Sequence, residues 1–522
     1  MGCHTLKNEL SSQYAKTGYV TEIPYTPGFI RYQTPVQLSF SAALNGFCVP
    51  DVRAPFRYCD LGCGEAVTLL TLAAAYPQAQ FVGVDMNQTH IENASKLAAE
   101  SNLSNIAFFH GTFAEFASDS TDSFDYVVAH GVLSWVAKEV SNELVQAVST
   151  LLRPGGLFYA CHFVRPGAGK METLFQLIAA EMRKMNGDLP TRVRAAVDAV
   201  DEWRKRELPL FRRYPSLQED IEELQSRDLR FLVHEFGNKH FCPRFFHDVA
   251  DELAQENLVF AGSAQLARNE ARNLLPEDHA DVLAPLDRIE REEHASLLSH
   301  ELFRWDVYKR VTDEAETGMW LKDFIVDANV FPYRFAKSDE LVRRKVSFET
   351  KAFQFLVDGG SKGRCSVAQL SEKGEGQGIP PDEFHQALRD ATGARWFQPL
   401  CCRAFPADVH ADQVYSFTHP LSVNLWTRDF KQEGSIALPS PVLGSSIVLS
   451  RFNGMAVRYL RQRSPREAMM RLKQELRLLS ADELDRLGLK AEFSDADFAG
   501  RVATFLSKIL PKLVKYGILR PI

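Results

Sequence analysis

No stretch of this sequence is long and apolar enough to span a bilayer, and Met1 to Leu10 holds no apolar core of the kind a secretory signal needs. Leu6 stands where an N-terminal myristoylation site requires Ser or Thr. Basic charge is also short. Lys and Arg number 60 against 67 Asp and Glu, a net charge of −7, so no global basic field invites nucleic acid. The nine cysteines, at 3, 48, 59, 63, 161, 242, 365, 401 and 402, include no Cys-x-x-Cys pair and no accompanying His-rich cluster. That argues against zinc and against a disulfide scaffold. These absences predict a cytoplasmic protein with reduced thiols, without a metal, a membrane span or a nucleic-acid partner.

What is present is ample core for more than one domain: 522 residues, 45% apolar and 24% charged. The chain is organised around Tyr58-Cys59-Asp60-Leu61-Gly62-Cys63-Gly64-Glu65-Ala66. An apolar strand ends in an acid, two alternating glycines follow, and a helical run starts at once. Glycine permits the sharp turn and removes the Cβ that would block a ligand. The helix directs its free N–H groups at the same place, a cradle for a nucleotide-like ligand at the carboxyl end of the first strand. The next strand, Phe81 to Asp85, ends in an acid placed to accept from ribose hydroxyls. A dinucleotide fingerprint requires G-x-G-x-x-G/A, but Val67 occupies the third small position and Ala66 precedes it.

Five strands are expected at Phe56–Leu61, Phe81–Asp85, Ile106–His110, Phe124–Ala129 and Leu157–Phe163, with helices at Ala66–Tyr76, Thr89–Ser101 and Ser141–Leu152. Such alternation indicates a parallel sheet covered on both faces. Arg153-Pro154-Gly155-Gly156 reads as a turn before the fifth strand. Upstream, Tyr14, Tyr19, Tyr25, Phe29 and Tyr32 fall among Pro24, Pro27 and Pro35, an aromatic leader over residues 1–55 that ends in an amphipathic helix, Gln37 to Phe47. It is either a lid packed by its rings or part of a ligand pocket, and the two are compatible. Residues 170–226 are charged and helix-patterned, an insertion of two or three helices. Then come a loop containing Leu232-Val233-His234-Glu235-Phe236, a helix from Pro243 to Glu256, a strand near Leu258, and an antiparallel strand at Phe303–Tyr308. These bounds predict a catalytic domain over 56–312, a middle domain over 313–430 and a winged-helix-like C-terminal domain over 431–522. Within the middle segment, Val342–Val357, Ser366–Glu372 and Pro381–Thr392 read as strand, helix, helix; later helices are expected at Ser464–Leu479, Ala481–Leu487 and Asp495–Leu510.

The D-x-G-x-G-x-A spacing from Asp60 to Ala66 resembles motif I of the class I S-adenosylmethionine-dependent methyltransferases, and the turn at Pro154-Gly155-Gly156 resembles theirs. Phe124-Asp125-Tyr126-Val127-Val128-Ala129-His130-Gly131-Val132-Leu133-Ser134-Trp135-Val136 closely resembles a segment of the methyltransferases that carry a methyltransferase regulatory domain. The leader from Gly18 to Tyr25 and the stretch from His234 to Ala264 are similar to two further segments of that family, which includes rickettsial-type lysine methyltransferases that modify outer-membrane proteins. The resemblance is good over residues 14–310 and only architectural beyond. It implies a Rossmann-like α/β domain with a helical insertion, smaller α+β domains after it, and S-adenosylmethionine as cofactor. It implies cofactor contacts at Asp60, Gly62, Gly64, Asp85, Met86, Thr112, Phe113 and His130. Gly111-Thr112-Phe113 lacks the acid that often meets the adenine amino group, so the Phe113 backbone or the Thr112 hydroxyl would serve. Glu65 and Glu115 are further candidates for the cofactor's amino group, or plain surface. Ser263 replaces a family Glu.

Methyl transfer from a sulfonium needs alignment, exclusion of water and one proton acceptor. A lysine acceptor, ordinarily near pKa ~10.4, must be neutral at attack, which an apolar aromatic pocket favours. Such faces also attract a methylammonium product. The expected catalytic residues are His130, Tyr19 and Trp135, with Tyr25, Tyr32, Ser134 and Trp135 around the acceptor. His130 follows the fourth strand, where it either takes a proton or is a hydrogen-bonded structural histidine; Trp135 is equally a core residue. The leading expectation is a protein lysine methyltransferase with a macromolecular acceptor, forming a homodimer through the insertion. A small-molecule or surface-glycan methyltransferase is the alternative, and a cofactor-binding scaffold the non-enzyme one.

Overall fold

The computed structural model describes residues 18–20, 23, 25, 28–270, 273–275, 281–312, 317–328, 350–356, 364–405, 409–410, 412–422, 424–425, 435–460, 463–480, 484 and 494–522. Five strands run parallel, β1 (Arg57–Leu61), β2 (Gln80–Asp85), β3 (Ile106–His110), β4 (Phe124–His130) and β5 (Leu152–Phe163), in the spatial order β3-β2-β1-β4-β5. Two more complete the sheet beyond β5, in the order β7-β6. β7 (Phe303–Arg310) pairs antiparallel with both β5 and β6 (Leu258–Ser263). β1, β2, β4 and β5 are buried along most of their length, as a sheet covered on both faces demands, while β3 at the sheet edge is partly exposed throughout. This is a Rossmann-like fold, and the order reverses beside β1, so the crevice above β1 and β4 is where ligands of such sheets collect.

The helices follow from local chemistry. α1 (Pro35–Leu44) starts with proline at its first position and is buried on every residue. α2 (Val67–Ala75) is apolar but for Thr68 and Thr71 and is likewise buried on every residue, which fits a helix sandwiched between the sheet and later chain. α3 (Gln88–Glu100) is capped by Asn87, whose side chain accepts from the Thr89 and His90 amides. α4 (Phe113–Asp119) has a reciprocal cap between Thr112 and Glu115. α5 (Lys138–Leu151) runs directly into β5. The expected turn at 153–156 is instead a bulge inside β5. Leu152 pairs with Phe124 and Leu157 with Tyr126, so the extra residues are pushed out between them, with Gly155 at φ 77°.

The insertion holds more helices than expected. α6 (Gly169–Met182), α7 (Leu189–Lys205), α8 (Pro209–Arg213) and α9 (Ser216–Ser226) are followed by α10 (Leu229–Phe236). α10 replaces the loop expected around His234. Asp228 caps it by accepting from the Arg230 amide, and Leu232, Val233 and Phe236 bury one face. These helices build their own apolar core from residues such as Leu174, Ile178, Val197 and Leu217, and Val20 of the leader joins it. α11 (Phe246–Ala254) then returns the chain to β6, and α12 (Arg288–Leu298) precedes β7.

The core beneath α1 continues into the later chain. Phe40 meets Phe324 at 5.2 Å between ring centroids, and Phe353, Leu370 and Phe384 belong to the same apolar cluster as Leu69 and Tyr126. Helices at Lys351–Phe355, Val367–Glu375 and Pro381–Gly393 lie here; Lys351–Phe355 falls where a strand was expected, and residues 342–349 are outside the described ones. A second cluster gathers a hairpin (Ser435–Ser440 with Ser445–Ser450) and helices at Arg451–Tyr459, Pro465–Leu476, Asp495–Thr504 and Leu510–Lys515. Of the helix expected at 481–487 only Leu484 is described. No helix among the described residues is long and apolar enough to cross a membrane.

The outer strands are tied by a buried charge cluster. Arg304, fully buried, donates to Asp306 (2.9 Å), Glu301 (3.1 Å) and Glu292 (2.8 Å) and lies 4.2 Å from the Phe246 ring centroid. Removing one member of such a cluster strands the rest without compensation. Arg304→Met is expected to cost about 3–5 kcal/mol, read as a lowered Tm, with Lys309→Met as a control of smaller effect.

Candidate active site

The carboxylate of Asp85 gathers the floor of the site. Its Oδ2 accepts from the Gly64 amide at 2.8 Å, and its Oδ1 accepts from the Asn87 amide at 2.8 Å. His90 Nδ1 lies 3.3 Å from the same Oδ1, while His90 Nε2 accepts from the Tyr25 amide at 3.1 Å. The two contacts together set the tautomer, with the proton on Nδ1. One side chain thus joins β2 to the glycine turn, to the start of α3 and, through His90, to the leader.

The turn itself is open to a ligand. Gly62 and Gly64 have φ of 88° and 56°, and the space above the Gly64 Cα is empty to 4 Å. A Cβ at Gly62 would come within 2.8 Å of the Val132 side chain. Ala66 closes the turn in the left-handed region at φ 56°, so the helix begins immediately after it. Asp60, at the end of β1, is 3% exposed and its Oδ1 has no hydrogen-bond partner. Burial, and then the charge of Asp85, push its carboxyl up to about 8. An orphaned buried carboxyl beside an open glycine turn is a fit for a ligand carrying positive charge and N–H donors, as S-adenosylmethionine does.

A cavity of about 540 Å³ lies over this floor, within the usual range for small-ligand sites. It takes in Tyr19, Tyr25, Asp60, Gly62, Gly64, Glu65, Asp85, His130 and Trp135 from the residues expected at the site. The lid is leader and α10 fastened together. The Val20 amide donates to Asn238 Oδ1 (2.9 Å), the Lys239 amide to the Gly18 carbonyl (2.8 Å), and His234 Nε2 to the Ile23 carbonyl (2.7 Å). Tyr19 and Tyr25 flank the His234 ring at 5.6 and 5.1 Å between centroids. Burial raises the Tyr19 hydroxyl well above its ordinary pKa, with Asp85 adding to it.

Other expected residues lie elsewhere. Tyr32 turns to Trp305, 5.1 Å between centroids, and its hydroxyl accepts from Arg395 at 2.7 Å. Ser134 is buried and its hydroxyl accepts from the Phe163 amide. Thr112 and Glu115 are committed to each other at the start of α4, and Phe113 packs on the apolar cluster under that helix. Met86 meets His110 through its carbonyl. None of these five, nor Glu115, lines the cavity. Trp135 serves both purposes: it faces the cavity and packs on Phe241, 4.8 Å between centroids. His130 also faces the cavity, but Nδ1 is 3.0 Å from the Tyr159 hydroxyl and Nε2 3.6 Å from Cys161 Sγ. With both nitrogens engaged and burial pushing the imidazole down to about 4, this arrangement suits a structural histidine better than a proton acceptor.

Many cavity residues were given no role in the sequence, among them Gln33, His90, His234 and Glu235. The signal for the last two was a pair of ionisable residues inside the apolar run Leu232–Phe236. His234 is neutral, pushed down to about 4 mainly by burial, and its Nδ1 has no partner. Glu235 is pushed up to about 8 by burial. Among the described residues no group of three or more His, Cys, Asp or Glu is placed to hold a metal ion.

Comparisons with known proteins fit this geometry. Residues 54–227 match the family model described as methyltransferase domain, and residues 228–310 match the predicted methyltransferase regulatory domain. An uncharacterised protein of Synechocystis sp. is 26% identical over 441 residues, 83% of this chain and 86% of that one. An uncharacterised protein of Rickettsia prowazekii is 23% identical over 356 residues, 66% of this chain and 62% of that one. The structure of PKMT2 from Rickettsia typhi, in complex with AdoHcy, superposes with a TM-score of 0.70 at 17% identity, over 95% of this chain and 100% of that one. The chain is therefore an S-adenosylmethionine-dependent methyltransferase, a Rossmann-like catalytic domain followed by a methyltransferase regulatory domain.

Proposed function

We propose that this methyltransferase modifies a protein, at lysine side chains. The observation that carries the reading is the lid: Tyr19, Tyr25 and Phe231 present aromatic surface over the glycine turn, with a neutral histidine, His234, between them. Such a wall disfavours an ammonium in favour of the amine and receives the methylated product by cation–π contact. The shared fold with PKMT2 extends over the C-terminal half, which supports a macromolecular acceptor. In this reading Gly62 and Gly64 leave room for the cofactor, Asp85 accepts from its ribose, and Asp60 receives its amino group. When bound, the cofactor supplies a methyl on a sulfonium, a leaving group already activated. The chain's own part is to align the nitrogen, exclude water through the leader and hold the acceptor. Cys59, Cys63, Cys161, Cys242, Cys365, Cys401 and Cys402 form no disulfide among the described residues, which supports a cytoplasmic setting.

A small-molecule acceptor is the second reading, favoured by the enclosure of the cavity under the leader. Incubation of the protein with bacterial extract and radiolabelled methyl donor, followed by acid hydrolysis, is expected to yield methyl-lysine. Label confined to small molecules or glycans would select the second reading. Asp85→Ala is expected to abolish labelling and to weaken donor binding at least tenfold by titration calorimetry.

Below about pH 8 the free protein holds Asp60 protonated, whereas a cationic ligand favours the carboxylate. Donor binding should therefore release protons and tighten as pH rises toward 8, becoming flat above it. Asp60→Asn should reduce the proton release, measured by calorimetry in buffers of different ionisation enthalpy.

We also infer self-association through the insertion, supported by the exposed apolar surface of Leu208 and Tyr214. Light scattering is expected to give a dimer for the wild type and a monomer for the L208E/Y214E variant; a wild-type monomer overturns the inference.

A further inference from the structure

Glu235 lines the cavity from the lid side, near the end of α10. Its carboxylate has no hydrogen bond or ion pair among the described residues. The cation whose charge acts on it is Arg227, already paired with Glu223 and laid over the Phe231 ring. Its position is rigid. The neighbouring His234 ring is bonded to the Ile23 carbonyl, and the Leu232, Val233 and Phe236 side chains fix the opposite face of the helix. The charged and titratable groups that share the cavity with it are Tyr19 and Tyr25 of the leader, Asp60, Cys63, Glu65, Asp85 and His90 of the floor, His130 after β4, and His234 and Arg227 on its own side. Across the cavity from the glycine turn there is thus one half-buried, unpaired acid rimmed by aromatic rings, the arrangement that recognises a cation.

We propose that Glu235 receives the acceptor amine: its carboxylate binds the incoming primary ammonium and takes one proton from it. The inference rests on the amine reading above. The N–H bond breaks toward a Glu235 oxygen, and the electron pair stays on nitrogen. That lone pair then forms the bond to the methyl carbon as the S–C pair remains on sulfur, giving a secondary ammonium and a neutral thioether. Glu235 sheds its proton to solvent between turnovers. Burial suits it to the task. A carboxyl near 8 stands about two units below a lysine ammonium, against about six for an exposed one, and the same desolvation lowers the ammonium.

The test uses n-butylammonium, the lysine side chain without its backbone, on the full chain saturated with S-adenosylhomocysteine. Glu235→Gln is expected to weaken its binding at least tenfold while S-adenosylmethionine affinity stays within twofold of wild type. In methyl transfer to a lysine polymer, kcat is expected to fall at least a hundredfold. The rising limb of kcat/KM against pH, set by Glu235 in the wild type, should move up toward that of the amine. Glu235→Asp keeps the charge and should restore butylammonium binding and part of the rate. Unchanged butylammonium binding with an unchanged pH limb in Glu235→Gln overturns the proposal. Should that variant lose donor binding as well, Glu235→Asp decides: a displaced limb supports the proposal and an unmoved one overturns it. Label recovered from the wild type as methyl-lysine, with Glu235→Gln unaltered, defeats this inference alone. Label recovered as a base-labile ester or a sugar ether defeats the amine reading beneath it.

Discussion

The site depends on the carboxylate of Asp85. It holds the Gly64 amide, and so keeps the glycine turn in its positive-φ shape; it holds the Asn87 amide, and so starts α3. Through His90 it reaches the Tyr25 amide and positions the leader that covers the cavity. A carboxylate accepting several N–H bonds in a nearly buried place is a strong and directional tie. The acid that the fold would present to a ribose therefore also ties together the glycine turn, α3 and the leader around the cavity.

The second constraint is how the lid is closed. The described leader residues from Gly18 to Ile30 lie outside any helix, so their amides and carbonyls need partners elsewhere. They find them on α10, which follows the insertion, and on the residues after it, in Asn238, in the Gly18–Lys239 contact and in His234. The insertion is thus a structural support for the cavity and not an appendage, with its own apolar core reaching Val20. It also brings α10, the first element of the regulatory domain, over the catalytic sheet. A regulatory domain that supplies part of the cavity wall can influence acceptor binding directly.

Two histidines show how environment assigns roles. His130 is partly buried and His234 buried, and both are held neutral. His130 has a partner on each nitrogen, Tyr159 and Cys161, so it braces the end of β4. His234 spends one nitrogen on the leader, and the other has no hydrogen-bond partner among the described residues. Position after a parallel strand drew attention to the first; only the hydrogen-bond pattern distinguishes the second.

The parallel sheet, the glycine turn and the cofactor class were legible in the sequence, because each is local. Strand patterning spans five to seven residues, and Asp60, Gly62, Gly64 and Asp85 act through the backbone conformations and strand ends next to them. The antiparallel strand at Phe303 was legible for the same reason. The bulge at Arg153–Gly156 was not, since Pro and Gly signal a turn whether or not the neighbouring strand keeps pairing across it. Nor was α10, eight residues long and too short for periodicity to separate it from a loop. The acceptor side of the cavity was least legible. Tyr32, Ser134, Thr112 and Phe113 were near the site in sequence and were turned away by packing, while Glu235, more than 200 residues from the leader, was brought over the glycine turn. Local backbone chemistry is written residue by residue, but a cavity wall is a meeting of distant segments, and its members are chosen by how those segments bury their apolar faces.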